Sequence, residues 1–410
     1  MAVKCLTQFK VYFTSIAIIL LWWGFAFRQD IQEKNNQPAK TESTQTRAPL
    51  LEILSPLKRD TLKEALAGNY DLMTQLIADW DIDAQLLESR GVVAAKRLNR
   101  RQYVKAQLIG RQLKKQIKQD FHASVVRDDF GNELRLDKPL SKFLPQTYVA
   151  ATFLLTLAQP EQIVAIPSGL RDQTQFFPKT LTDQIALDID RYNGEKLFHE
   201  KPDVAFVANY SHAHTLHALQ SQGIQLFTFK HFETIPEIQS ALAKTGQVIN
   251  RPLEADLLNL FIEASLLAID NRVLAFNAHL DEQGIHNPRI LYLNYRSQYS
   301  LPTTRTITGK LLDRMSVHTL SHVSEKQLEW FIPIYQEQIR RLDPDYLIVA
   351  SAYPEQMRGH LHDDDVMREL SAVKANRVAF IDDAVQQSPT QYVVLAYYDL
   401  FHAIAAAHSP

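Results

Sequence analysis

From Leu253 to Gln283 the chain holds neither glycine nor proline. Leu257, Leu258, Phe261, Leu266, Leu267, Ile269, Leu274 and Phe276 run through this stretch, with aspartate and glutamate interspersed. Turn residues would bound a strand within a few positions, so so long a run without a breaker specifies helix. Pro252 suits the first turn, Glu254 and Asp256 favour that end through the helix dipole, and Gly284 can stop the helix. As one helix the run spans about 45 Å. That length suits a stiff strut between two lobes better than a crossover inside one sheet.

On both sides of the strut, short apolar runs of strand length alternate with helical stretches. Ile163–Ile166, Val204–Ala208, Leu226–Phe229, Ile290–Leu293, Tyr346–Ala350 and Val378–Ile381 are candidate buried strands. This alternation predicts an α/β fold with mainly parallel sheets. The two sides also echo each other. Before the strut stands EKLFHEKPDVAFVA (Glu195 to Ala208); after it stands EQIRRLDPDYLIVA (Glu337 to Ala350). In each, a short helix ends, proline blocks its continuation, aspartate turns the chain and a strand enters the sheet. Each strand runs into a polar loop with tyrosine and histidine: Tyr210, His212 and His214 in one case, Tyr353, His360 and His362 in the other. Ligands of parallel sheets sit outside the carboxyl ends of the strands, so two such lobes would face one cleft.

These elements resemble a family. RDDFGNEL (Arg127 to Leu134) looks like the opening "D-x-x-G-x-x-V" strand pair of the periplasmic substrate-binding proteins of ABC importers for iron-siderophores, haem and cobalamin. The proline-aspartate strand element matches in both halves. GIQLF (Gly223 to Phe227) is similar to the family's "G-I-P-V" strand, and AVKANRV (Ala372 to Val378) to its "A-V-K-x-x-R-V"; Ser388-Pro389 before the last helix is also similar. The resemblance covers about two thirds of the chain, from Ser124 onward. It implies two α/β lobes joined by one long rigid helix, a monomer with no built-in cofactor, and a metal chelate held between the lobes for delivery to an ABC permease in the inner membrane. By position it also implies that Glu195 and Glu337 dock on that permease. Taken alone, each is a solvated carboxylate in a first helical turn.

The expected organisation is a signal peptide or membrane anchor over 1–28 and a polar tether over 29–50. A helical extension over 51–122, a first lobe over 123–250, the linking helix over 251–284 and a second lobe over 285–410 follow. Val11 to Phe27 is charge-free and mostly apolar, with Lys4 and Lys10 before it. It reads equally as a cleaved signal, with Gly24-Phe25-Ala26 as the cleavage site, or as an uncleaved anchor. Either puts the bulk of the chain in the periplasm or on the extracytoplasmic face. The extension carries a basic run of Lys96, Arg97, Arg100, Arg101, Lys105, Arg111, Lys114, Lys115 and Lys118. It reads as a solvated helix face, with Tyr103, Leu108 and Leu113 packing on the other side. Attraction to anionic lipid headgroups is the other reading. The extension and an enlarged segment from Pro302 to Phe331 depart from the family pattern. They leave room for a membrane-anchored scaffold or sensor that keeps the fold without transport.

Strand-end position and side-chain chemistry nominate Tyr148, Tyr210, His212, His214, His231, Tyr295, Arg296, Tyr353, His360 and His362 as cleft residues. Tyrosine and histidine suit haem iron or aromatic stacking, and Arg296 suits the carboxylates or negative charge of a chelate. A bare-metal site on His212, His214 and His217 lacks converging geometry and a local carboxylate. His318 and His322 read as insertion surface. The Asp363-Asp364-Asp365 run reads as a helix N-terminus. A net charge of -2 gives no reason to invoke nucleic acid. The 12 glycines form no phosphate-binding fingerprint, and the single cysteine, Cys5, excludes internal disulfides. With no nucleophile elbow, the chain reads as a binding protein, not an enzyme.

Overall fold

The computed structural model describes residues 50–116, 119–189, 194–284, 288–315 and 329–407. The apolar N-terminal run and the tether lie outside them, as do His318 and His322. Among the described residues no helix is long and apolar enough to cross a membrane.

The extension holds α1 (Arg59–Leu66), α2 (Tyr70–Ser89) and α3 (Arg100–Lys114). A hairpin, β1 (Ser124–Arg127) with β2 (Glu133–Leu136), follows, closed by Gly131 at φ 83°. The first lobe is built from β3 (Phe143–Pro145), α4 (Tyr148–Leu157), β4 (Ala165–Pro167), β5 (Leu187–Ile189), α5 (Gly194–His199), β6 (Val204–Ala208), α6 (Ala213–Ser221), β7 (Gln225–Phe229) and α7 (Ile235–Val248). Strands β3, β6 and β7 form a parallel sheet in that order, β4 and β5 a parallel pair beside it. The linking helix α8 (Pro252–Glu282) is a single helix of 31 residues. The second lobe holds β8 (Ile290–Tyr295), β9 (Tyr299–Pro302), α9 (Ile307–Arg314), β10 (Phe331–Pro333), α10 (Gln336–Leu342), β11 (Tyr346–Ser351), α11 (Pro354–Asp363), β12 (Val378–Asp382) and α12 (Val393–Ala407). Its sheet runs β10-β9-β8-β11-β12, with β8, β11 and β12 parallel and an antiparallel edge of β9 and β10.

The repeated proline-aspartate element has one physical job in both lobes. Lys201 and Asp343, just before the prolines, end their helices in the left-handed region at φ 50° and 38°. The next aspartate then fastens the start of the neighbouring strand. Asp203 accepts the backbone N–H groups of Ser141 at 2.7 Å and Lys142 at 3.0 Å. Asp345 accepts that of Arg289 at 2.9 Å and ion-pairs with its guanidinium at 3.1 Å.

The linking helix is not a bare strut. The extension makes no core of its own; Leu62, Leu66, Met73, Ile77 and Trp80 join Leu257, Leu258 and Phe261 in one cluster. Trp80 stacks on Phe261 with centroids 5.5 Å apart. Helices α2 and α3 thus lie along α8 and make it one rod of three. The basic face of α3 is solvated as expected, and Tyr103 and Leu113 pack inward. Leu108 does not: it is 53% exposed, because Ala106, Ile109 and Gly110 form the buried face and Leu108 falls about 100° away from Ile109. In the middle of α8, Asp270, Asn271 and Arg272 are buried and tie the rod to its neighbours. Asp270 accepts from Arg314 Nε and Nη2 at 2.9 and 2.8 Å, from Lys96 Nζ at 3.1 Å and from the Tyr397 hydroxyl at 2.8 Å. Asn271 bonds the backbone N–H and carbonyl of Lys96, both at 2.7 Å. Arg272 sits 3.6 Å from Asp83, which also accepts the Ser55 backbone N–H at 3.0 Å.

Candidate functional site

The register of the second sheet sets where side chains gather. Ser351, the last residue of β11, pairs with Tyr295 of β8 on one side and Asp382 of β12 on the other. Three parallel strands therefore end level, and the loops and helix starts beyond them enclose a concavity of about 730 Å³. Tyr295, Arg296, Tyr353 and His360 line it together, as their strand-end positions predict. His362, on α11, is exposed and outside the lining. The Asp363-Asp364-Asp365 run ends α11 instead of starting a helix, because Pro354 already opens it; Asp364 caps the next turn through the Val366 and Met367 N–H groups.

The floor is held by Asp383, which is 5% exposed. A buried carboxylate needs a charge partner and donors. It receives the side-chain amides of Asn294 and Gln387 and the Nε of Arg296 at 3.2 Å. Arg296 donates a further bond to Gln387 Oε1 at 2.7 Å. Two acceptors thus hold the guanidinium on a side chain that is 66% exposed at the rim. The Tyr295 hydroxyl lies 3.2 Å from His360 Nε2, and its ring packs against Tyr299 with centroids 4.9 Å apart. Tyr353 is 66% exposed, an unburied aromatic at the mouth of a concave surface. Asp383, Asn294 and Gln387 were not among the nominated residues. Carrying the strand-end rule on to the run Val378–Ile381 points to Asp382 and Asp383; nothing local marks Gln387.

In the first lobe the nominated residues also follow strand ends. Tyr148 opens α4 after β3, Tyr210 follows β6, His212 is the N-cap of α6 with His214 just inside it, and His231 follows β7. Tyr148 and Tyr210 are 46% and 63% exposed. The Tyr148 hydroxyl stands where a side chain on residue 169 would begin, 2.3 Å from an added Cβ, which is why Gly169 fits there. None of these residues lines the concavity of the second lobe. His212, His214 and His217 are exposed, and among the described residues no three metal-ligating side chains converge.

His231 contacts the other lobe instead. Its ring meets Trp330 with centroids 3.7 Å apart, and Glu233 pairs with Arg305 at 2.7 Å. Burial lowers the His231 imidazole's pKa, against the pull of Glu233 and Glu237. The same loop is anchored by Glu237, third residue of α7 and half of a capping box with Thr234. Burial alone would raise its carboxyl. Lys230 Nζ at 2.6 Å and the backbone N–H groups of Glu233 and Thr234 at 2.9 and 3.0 Å outweigh that and hold it at about 2. A depressed folded value means that the stability is complete above the unfolded value of about 4.3 and is lost as pH falls through the folded one. Glu237→Gln is expected to melt below the wild type at neutral pH. The gap should narrow as pH falls from about 4.3 toward about 2. Melting curves across that range check this, and a gap that stays constant with pH would refute the assignment.

A family model described as "Periplasmic binding protein" matches residues 154–385, more than half of the chain. The chain belongs to the periplasmic binding protein family. Solute-binding proteins of this family are not enzymes, carry no built-in cofactor and work with ABC permeases outside the cytoplasm. Solved structures share the fold. A periplasmic heme-binding protein from Pseudomonas aeruginosa is 17% identical with a TM-score of 0.52, the match covering 66% of this chain and 95% of that one. The molybdate-bound MolA of Haemophilus influenzae is 14% identical with a TM-score of 0.53, covering 69% and 91%. A periplasmic binding protein from Veillonella parvula is 15% identical with a TM-score of 0.54, covering 69% and 91%. No curated protein sequence matches the chain. In this periplasmic binding protein the extension α1 to α3 precedes the segment that the family model matches.

Proposed function

We propose that this protein binds a metal chelate, of the iron-siderophore, haem or cobalamin type, between its lobes and delivers it to an ABC permease. The observation that carries the reading is the level ending of β8, β11 and β12, which brings Tyr295, Arg296, Tyr353 and His360 around one concavity of about 730 Å³. That is the volume of a drug-sized or larger ligand, lined by aromatic groups with a few fixed polar ones. The tyrosines and His360 suit the flat or aromatic shell of a chelate, or its metal. Arg296, steadied by Asp383, suits a carboxylate. The exposed first-lobe residues Tyr148, Tyr210, His212 and His214 would meet the ligand from the opposite side. The haem and molybdate bound by the two named neighbours support the same class of small, metal-containing cargo.

Glu337, exposed in the first turn of α10, and Glu195, second residue of α5, are assigned to permease contact by their matching places before the repeated strand. The test is an absorbance titration of the purified protein with haem, ferric siderophores and cobalamin, followed by uptake in cells. Saturable binding of one of them at micromolar concentration is expected. The double change of Glu195 and Glu337 to alanine should keep that binding and lose uptake. No binding of any of the three overturns the ligand class; uptake untouched by the double change overturns the docking assignment alone.

A further inference from the structure

We propose that the outward face of α3 docks on an anionic phospholipid surface. The inward face is fixed. Ala106, Ile109 and Gly110 are buried, Asn99 and Gln102 close a capping box at the start, and Gln102 reaches Glu263 of the linking helix at 2.7 Å. What remains is presented on a rigid backing. Arg101, Val104, Leu108, Arg111 and Lys115 follow one another at three- and four-residue steps and so lie in one stripe. Val104 and Leu108 are 45% and 53% exposed in the middle of it. Lys105 has Asp256 at 2.6 Å and Lys114 has Asp71 at 3.8 Å. Arg100, Arg101, Arg111 and Lys115 have no ion-pair partner among the described residues, so internal pairing does not account for them.

A helix face with two apolar side chains set among unpaired cations matches a headgroup layer. Phosphates take the guanidinium groups, and the apolar pair enters the boundary below. The segment that leads into α3 is fixed as well. Leu50 packs in one cluster with Val92 and Ala95, just before the α3 cap.

The test uses the full chain in lipid nanodiscs, with Cys5→Ser and Gln112→Cys to place an environment-sensitive dye on the exposed face. With phosphatidylglycerol in the disc, the dye emission should shift to the blue and be quenched by spin-labelled lipid. With phosphatidylcholine alone, or at high salt, both effects should vanish. Reversing Arg100, Arg101, Arg111 and Lys115 to glutamate should abolish the shift. The milder pair Arg101→Gln and Arg111→Gln should reduce it while the melting temperature stays put. A dye equally exposed in both lipids overturns the proposal, as does a shift that survives the charge reversal. Protection of the dye only by an added acidic soluble protein, and not by lipid, overturns it too.

Discussion

Replacing Asp270 with alanine is expected to lower the unfolding free energy by about 3 kcal/mol, read from urea unfolding at constant slope. The carboxylate is 3% exposed and gathers groups from three separate elements: Lys96 ahead of α3, Arg314 on α9 and Tyr397 on α12. Lys96 and Arg314 are 46% and 32% exposed, so they can turn to water once the partner is gone. That holds the loss at the low end for a broken buried pair. Tyr397 is fully buried and cannot, and its orphaned hydroxyl costs a further desolvation penalty. Asp270→Asn keeps an acceptor for that hydroxyl and should fall between the two. If Asp270→Ala unfolds at the wild-type urea midpoint, the buried network does not stabilise the rod.

Tyr353→Ala should do the opposite: leave stability within about 0.5 kcal/mol and weaken ligand binding roughly thirtyfold, a loss of about 2 kcal/mol. The residue is 66% exposed, so little packing is lost in the unliganded protein. A large aromatic left open at the mouth of a concave site gains its burial only when something fills the site. Tyr353→Phe should retain most of the affinity if the ring stacks on the ligand, and lose it if the hydroxyl meets the metal. An alanine variant that binds the same chelate as tightly as the wild type removes Tyr353 from the site.

The long helix was legible because breakers are absent, and absence over such a span has one cheap interpretation. The two lobes were legible because the proline-aspartate element recurs with its strand. The lining of the second-lobe concavity was legible because parallel strands deliver residues to one end, and β8 and β11 lead into Tyr295, Arg296 and Tyr353 there. Asp383 was harder, since its role is set by Asn294 and Arg296, which come from a strand far away in sequence. Asp270 and Arg272 could not be told from surface charges by periodicity. Helix α8 is covered on nearly every side, so it shows no polar stripe from which they would depart. His231 was nominated for the cleft from its place after β7, but its neighbour Trp330 arrives from the other lobe, and no local pattern announces that contact.

Cladding α8 with α2 and α3 changes what the joint between the lobes can do. A single helix flexes gently along its length, whereas three helices sharing one apolar seam must slide past one another to bend. Such a joint has little give, and we expect the gap between the lobes to hold nearly the same width with and without cargo. Discrimination among cargoes then depends on which of them fits a mould already cast. The entropy lost on capture is correspondingly small, because little of the protein remains to be ordered when the ligand arrives.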